Sequence, residues 1–158
     1  MIKVFGIGNI LLGDDGVGVR VVQKLTKEIK NISDDIDVII GETDYLYCIN
    51  QIKEDDIVVI VDSTYLNINP ASVSYFNFKD CYRFIRNFNS QHESNLLKSL
   101  LMEKPNINGY LIGIEISKVD FSLELTKILK NNFDNICLEV LKYIREIYKD
   151  YARGIHSI

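Results

Sequence analysis

The stretch IVVIV, residues 57–61, is the strongest strand signal in the chain, and DST, residues 62–64, follows it directly. Five consecutive β-branched residues predict a strand that is buried on both of its faces. Strands of this kind lie in the centre of parallel sheets, where helices cover both sides. The stretch therefore predicts an α/β fold in which Asp62 follows the central strand.

Strand and helix patterns alternate on both sides of this stretch. Other strands are predicted at residues 2–5, 37–40, 73–78 and 109–116, the third of them at a sheet edge. Helices are predicted at residues 15–30, 45–52, 90–103, 123–130 and 135–148. This alternation predicts a single domain over residues 1–158, built as a three-layer sandwich with helices on both faces of a mostly parallel sheet. Ligands of such folds bind beyond the carboxyl ends of the strands.

The composition of the 158-residue chain limits the kinds of partner and the cellular compartment that we expect. A formal net charge of −4 argues against nucleic acid or an anionic membrane as the main partner. The first residues lack the pattern of a signal peptide, and no apolar run reaches membrane-spanning length. The three cysteines are odd in number and lack CxxC spacing, which fits buried apolar side chains in a reducing compartment. We therefore expect a cytoplasmic protein.

Acidic side chains follow two of the predicted strands, and a histidine follows a third. The glycine-rich stretch GIGNILLGDDGVGV, residues 6–19, places Asp14 and Asp15 after the first strand, and Asp62 follows the central strand. His92 lies in NSQHESNLL, where a capping box predicts the first turn of a helix. There the helix dipole favours the neutral imidazole, which is the form that binds metal.

Taken singly, each of these side chains also has a structural interpretation. Asp14 fits a helix cap better than a ligand, Asp15 fits a first-turn acid, and Asp62 fits a turn cap. His92 alone fits a surface histidine. Taken together, one nitrogen and two carboxylates from three strand ends suit a divalent ion such as zinc, nickel, manganese or cadmium. Two acids are also compatible with an aspartic dyad that shares a proton.

A nucleotide-binding loop is the other interpretation of the glycine-rich stretch, and the residues argue against it. The dinucleotide fingerprint G-x-G-x-x-G is broken at its third glycine by Leu11. Asp14 and Asp15 would also repel a phosphate at the helix N-terminus, and the Gly-Lys-Ser/Thr ending of a mononucleotide loop is missing. The stretch is thus expected to hold an acid rather than a phosphate.

These motifs resemble the hydrogenase maturation endopeptidases, which complete the large subunit of nickel–iron hydrogenases. Residues 6–18 match the family signature G-x-G-N-x-L-x-x-D-(D/E)-x-x-G in order. Residues 41–43 match the glycine–threonine segment after the second strand, Asp62 matches the acid after the central strand, and His92 matches the histidine helix. The resemblance runs from residue 2 to about residue 116.

The resemblance implies an endopeptidase that removes a C-terminal extension from a large-subunit precursor whose nickel–iron centre is already installed. It implies that Asp15, Asp62 and His92 contact the nickel of the substrate, for which zinc or cadmium could substitute in vitro. Asp15 and Asp62 would be the catalytic acids of a metal-dependent or aspartic-type hydrolase that acts as a monomer on a large partner. The metal would polarise the scissile carbonyl, or it would only dock the substrate while one acid acts as general base.

Two functions of other classes remain as alternatives. One is a non-proteolytic nickel-binding or nickel-delivery protein that uses the same three ligands. The other is a nucleotide-binding α/β domain, which the broken fingerprint and the paired acids disfavour.

Overall fold

The computed structural model describes residues 1–85 and 96–154, and the described residues form a five-stranded sheet. The strands are β1 (Ile2–Ile7), β2 (Ile36–Glu42), β3 (Ile57–Thr64), β4 (Val73–Asn77) and β5 (Asn108–Glu115). Their order is β2-β1-β3-β5-β4, and all pairs are parallel except the edge pair of β4 with β5. The mostly parallel sheet is as predicted, with the IVVIV stretch in its central strand.

Helices cover both faces of this sheet. They are α1 (Val17–Lys30), α2 (Tyr45–Asn50), α3 (Phe78–Ile85), α4 (Leu96–Glu103) and α5 (Lys127–Ala152). Successive side chains of β3 point to opposite faces because a strand has a period of two residues. Val59 and Val61 belong to a buried cluster with α1 and α5, whereas Val58 and Ile60 belong to a second cluster with α2, α3 and α4. The predicted three-layer α/β sandwich is therefore confirmed.

Helix α5 differs from its prediction because it is one continuous helix where two were expected, at residues 123–130 and 135–148. Asn132 lies in the expected break, but its side-chain amide donates a hydrogen bond to the carbonyl of Ile128. Phe133 packs against the cluster that α1 and α5 share, so the apolar face of the helix continues through this point. Within residues 1–85 and 96–154, no helix is both long and apolar enough to cross a bilayer.

The chain between β4 and β5 contains a helix, α3, that was not predicted. It begins directly after β4 and buries Phe78 and Cys81 in the second cluster. These apolar residues are one helical turn apart, but Phe78 also fits the strand pattern predicted over residues 73–78. The next helix, α4, ends before Pro105 as predicted, and residues 90–95 of that predicted helix lie outside the described residues.

Candidate functional site

Asp15 lies at the carboxyl edge of the sheet, in a short 3-10 turn (Asp14–Gly16) that connects β1 to α1. One carboxylate oxygen, Oδ2, accepts a hydrogen bond from the backbone N–H of Asn9 at 2.8 Å. The other, Oδ1, accepts a hydrogen bond from the hydroxyl of Ser63 at 3.1 Å. The carboxylate is thus oriented by one bond from its own loop and one bond from the end of β3.

Two glycines of the opening stretch allow this close approach. Gly8 has a φ of +135°, and a Cβ there would lie 2.0 Å from the carbonyl oxygen of Asp15. Gly18 is the second residue of α1, and a Cβ there would lie 2.3 Å from the carbonyl oxygen of Val61. A side chain at Gly8 would displace Asp15, and one at Gly18 would push α1 away from β3. The glycines therefore set the distance between Asp15 and the central strand.

Asp62 lies near the end of β3, the strand that neighbours β1. Its Oδ1 accepts a hydrogen bond from the backbone N–H of Ser63 at 2.7 Å. Since the Ser63 hydroxyl donates to Asp15, one residue contacts both acids. The structure thus brings Asp15 and Asp62 together at the carboxyl edge, where the sequence placed them. We call these two side chains the acid pair.

The two carboxylates of the acid pair repel each other when both are charged. Burial and the nearby charge of Asp15 raise the pKa of Asp62 to about 7, although the hydrogen bonds from Ser63 act in the opposite direction. The same two acids add to the effect of burial on Tyr45, whose pKa rises to about 12, so its phenol stays protonated. Near neutral pH, a proton or a cation at the acid pair relieves the repulsion between the carboxylates.

The raised pKa of Asp62 makes the stability of the protein depend on pH. In the unfolded chain Asp62 has its ordinary pKa of 3.8, so between about pH 4 and pH 7 the folded protein binds more protons than the unfolded chain. Protonation of Asp62 therefore stabilises the folded protein fully below about pH 4. This stabilisation decreases as the pH rises and is lost once the pH has passed about 7. Asp62→Asn removes the charge, so its stabilisation relative to the wild type should be larger at pH 8 than at pH 5 by on the order of 2 kcal/mol.

Urea unfolding with chelator present, at both pH values, measures this difference. Asp55→Asn is the matched control, because Asp55 is an exposed acid in the turn before β3, at the opposite edge of the sheet. If Asp62→Asn stabilises the protein by the same free energy at pH 5 and at pH 8, the pKa of Asp62 is not raised.

His92, the third predicted ligand, lies outside the described residues. Within the described residues there is no group of three histidine, cysteine or acidic side chains that could hold a metal ion. The acid pair alone supplies oxygen donors of the type that divalent cations accept, and a cation there would offset the charge repulsion. The predicted ligand set of Asp15, Asp62 and His92 therefore stays a prediction, because the structure describes only its two acids.

Asp14 has a role that the sequence did not predict. It was expected to cap its own helix, but no side chain caps the 3-10 turn or α1. The Asp14 side chain is fully buried, and its carboxylate accepts hydrogen bonds from the backbone N–H groups of Ser117, Lys118 and Thr126 at 3.0, 3.4 and 2.7 Å. It also accepts one from the Thr126 hydroxyl at 2.9 Å. The cap prediction is wrong because these distant donors occupy the carboxylate.

Glu115, at the end of β5, organises the loop after β3 in a similar way. Its buried carboxylate accepts hydrogen bonds from the Thr64 hydroxyl at 3.0 Å and from the backbone N–H groups of Leu66 at 2.9 Å and Ile68 at 3.3 Å. The sequence feature that could have indicated this role is a glutamate within the apolar run of residues 109–116. Two buried acids thus shape the loops that surround the acid pair.

Comparison with known proteins shows the family to which this chain belongs. Residues 19–143 match the sequence model described as HycI, hydrogenase maturation protease. The chain belongs to the hydrogenase maturation protease family. The matched residues include Asp62 and His92, and Asp15 precedes them.

Two curated relatives are named as hydrogenase expression/formation proteins. The hydrogenase expression/formation protein HupD of Bradyrhizobium diazoefficiens is 31% identical over 83 residues, which are 52% of this chain and 43% of HupD. HupD of Rhizobium leguminosarum bv. viciae is 35% identical over 72 residues, which are 46% of this chain and 35% of that protein. The match thus spans less than half the length of these two relatives.

Solved structures of maturation proteases share the fold. The hydrogenase maturating endopeptidase HybD from E. coli superposes with a TM-score of 0.75 at 22% identity, over 92% of both chains. The maturation protease HybD from Thermococcus kodakarensis superposes with a TM-score of 0.64 at 20% identity, over 96% of this chain and 98% of that one. At these identities the likeness shows that the α/β architecture is common to the family.

Proposed function

We propose that this chain is an endopeptidase that removes a C-terminal extension from the nickel-loaded large-subunit precursor of a nickel–iron hydrogenase. The observation that carries the proposal is the acid pair, which Ser63 joins at the carboxyl edge of the sheet. Family membership supports the reaction class, because the matching family model is that of a maturation protease. We further propose that the protein acts in the cytoplasm as a monomer.

The proposed mechanism uses the acid pair in two ways. Asp15 and Asp62, together with His92, contact the nickel that the substrate brings, and this contact recognises a loaded precursor. One carboxylate then accepts a proton from the water that attacks the scissile carbonyl. A general base acts best when its pKa is near the working pH, and in the metal-free protein the pKa of Asp62 is about 7. Asp15 is held by Asn9 and Ser63, so its free lone pairs keep a constant direction toward the substrate.

An aspartic-type and a metal-dependent reaction differ in what activates the water. In the aspartic type the metal only docks the substrate, and in the metal-dependent type it also polarises the carbonyl. In the metal-free acid pair the pKa of Asp62 is about 7, and a carboxylate of this kind can take up the proton of the water in the aspartic type. In either type, the hydrogen bonds from Asn9 and Ser63 orient the two carboxylates that contact the metal of the substrate.

The proposal is tested by incubating the protein with the same precursor in its nickel-loaded and nickel-free forms. We expect mass spectrometry to show loss of the C-terminal extension in the loaded form and an intact nickel-free form. His92→Ala should abolish cleavage, and His156→Ala, at the other histidine of the chain, is the matched control. A wild-type protein that binds the loaded precursor or takes up its nickel without cutting it would identify a nickel-binding or delivery protein instead.

A further inference from the structure

Four exposed apolar side chains lie on two paired loops next to the acid pair. Phe121 is 94% exposed, Leu123 is 68% exposed, and Leu11 and Val119 are each about half exposed at 55% and 49%. Leu11 follows β1, and the other three lie in the loop between β5 and α5. We call these four side chains the apolar platform. Large apolar groups that are exposed together mark interaction surfaces more often than isolated ones do.

The two loops that carry the apolar platform are hydrogen-bonded to each other. The Gly13 N–H donates to the carbonyl of Ser122 at 2.8 Å, and the Ser122 N–H donates to the carbonyl of Leu11 at 3.0 Å. The Arg20 guanidinium, from α1, donates to the carbonyl of Leu123. The buried Asp14 carboxylate holds both ends of the second loop, at Ser117 and Thr126. The platform is thus built on a fixed backbone, so a partner binds it without a large ordering cost.

The apolar platform is continuous with the acid pair. The Leu11 N–H donates to the side-chain oxygen of Asn9 at 2.9 Å, and the Asn9 N–H donates to the carboxylate of Asp15 at 2.8 Å. Only two hydrogen bonds therefore separate a platform residue from the proposed reaction site. The platform therefore lies next to the proposed reaction site, on the side of the loop that follows β1.

Charges around the apolar platform are paired with each other. Lys118 forms a salt bridge with Asp120 at 2.9 Å, and Lys130 forms one with Glu124 at 2.9 Å. These pairs cancel in charge, and Arg20 adds one positive charge at the carbonyl of Leu123, which is too little to attract an acidic peptide or an anionic membrane. The chemistry of the surface therefore suits an apolar protein segment.

We propose that the apolar platform binds an apolar segment of the hydrogenase large-subunit precursor, adjacent to the bond that is cut. This inference rests on the proposed function and adds the surface that holds the substrate. Four side chains with these exposures present on the order of 400 Å² of apolar surface. A stable dimer buries roughly 800 Å² on each partner, so the platform is too small to be the interface of two copies by itself. It fits one subsite within a larger contact with the substrate.

The proposal is tested by steady-state cleavage of the nickel-loaded precursor with Phe121→Ser and with Leu138→Ser as the matched control. Leu138 lies on α5 and is 66% exposed, so its substitution changes an apolar surface residue outside the platform. We expect Phe121→Ser to raise KM about tenfold or more, which corresponds to the loss of one buried aromatic side chain, while kcat changes less than about twofold. Leu138→Ser should match the wild type, and circular dichroism checks that both variants are folded.

The outcomes separate this proposal from the proposed function. If the wild type cuts the precursor and Phe121→Ser has an unchanged KM, the platform proposal is overturned and the protease function stands. If the wild type does not cut the precursor, its binding to the same precursor tests the platform proposal. Binding by the wild type that is lost in Phe121→Ser supports the proposal. Binding that is unchanged in Phe121→Ser, or absent in the wild type, overturns it. If sedimentation shows a wild-type dimer that Phe121→Ser dissociates, the occupant is a second copy and the proposal is wrong.

Discussion

Asp62→Asn is expected to lower the rate of precursor cleavage roughly a thousandfold, because the substitution keeps the shape of the side chain but removes its ability to accept a proton. It also removes one oxygen ligand from the nickel of the substrate. Single-turnover cleavage of the nickel-loaded precursor, with the protein in excess, measures the step directly. Asp62→Ala should lose cleavage to the same degree, since neither variant has a carboxylate.

Asp55→Asn serves as the control for this loss, because it removes an equal charge from the far edge of the sheet. A wild-type cleavage rate in Asp62→Asn would show that the acid pair is not the reaction site. Since the same substitution is expected to stabilise the protein above pH 7, the variant should be better folded and inactive. That combination separates a catalytic loss from a folding defect.

Asp14→Ala is expected to lower the free energy of unfolding by about 3–5 kcal/mol, the range for breaking a buried network of charged hydrogen bonds. The substitution removes a fully buried acceptor and leaves the donors of Ser117, Lys118 and Thr126 without their partner. Chemical denaturation gives the energy, and hydrogen exchange should show lost protection at the Thr126 amide.

Asp120→Ala is the matched control for Asp14, because Asp120 belongs to the same loop but is exposed and bonds only at the surface with Lys118. Its effect on stability should stay below about 0.5 kcal/mol. Equal effects of the two substitutions would mean that the Asp14 carboxylate does not hold the loop.

Local patterns predicted the sheet and the meeting of the acid pair. The five β-branched residues of β3 are buried, and their alternate side chains supply the two cores on either side. Asp15 and Asp62 meet because β1 and β3 are parallel neighbours and end at the same edge. The position of His92 stays a prediction, since it lies outside the described residues.

The parts that the sequence could not predict depend on partners far along the chain. Asp14 has the local pattern of a helix cap, but Thr126, which is 112 positions away, donates to it instead. Ser63 has the pattern of a turn residue, and its contact with Asp15 crosses 48 positions. Helix α5 is continuous through residues 131–134 because Phe133 packs against the cluster of α1, α5 and the sheet, a contact that helix propensity does not include.

The bond between Asp14 and Thr126 also orders events during synthesis. It closes a segment that includes four of the five strands of the described sheet, and such nonlocal contacts form late in folding. A chain still emerging from the ribosome therefore lacks the contact that fixes the turn beside Asp15. We expect the nascent protein to complete the proposed reaction site only after α5 has begun to dock, so that unfinished chains lack it.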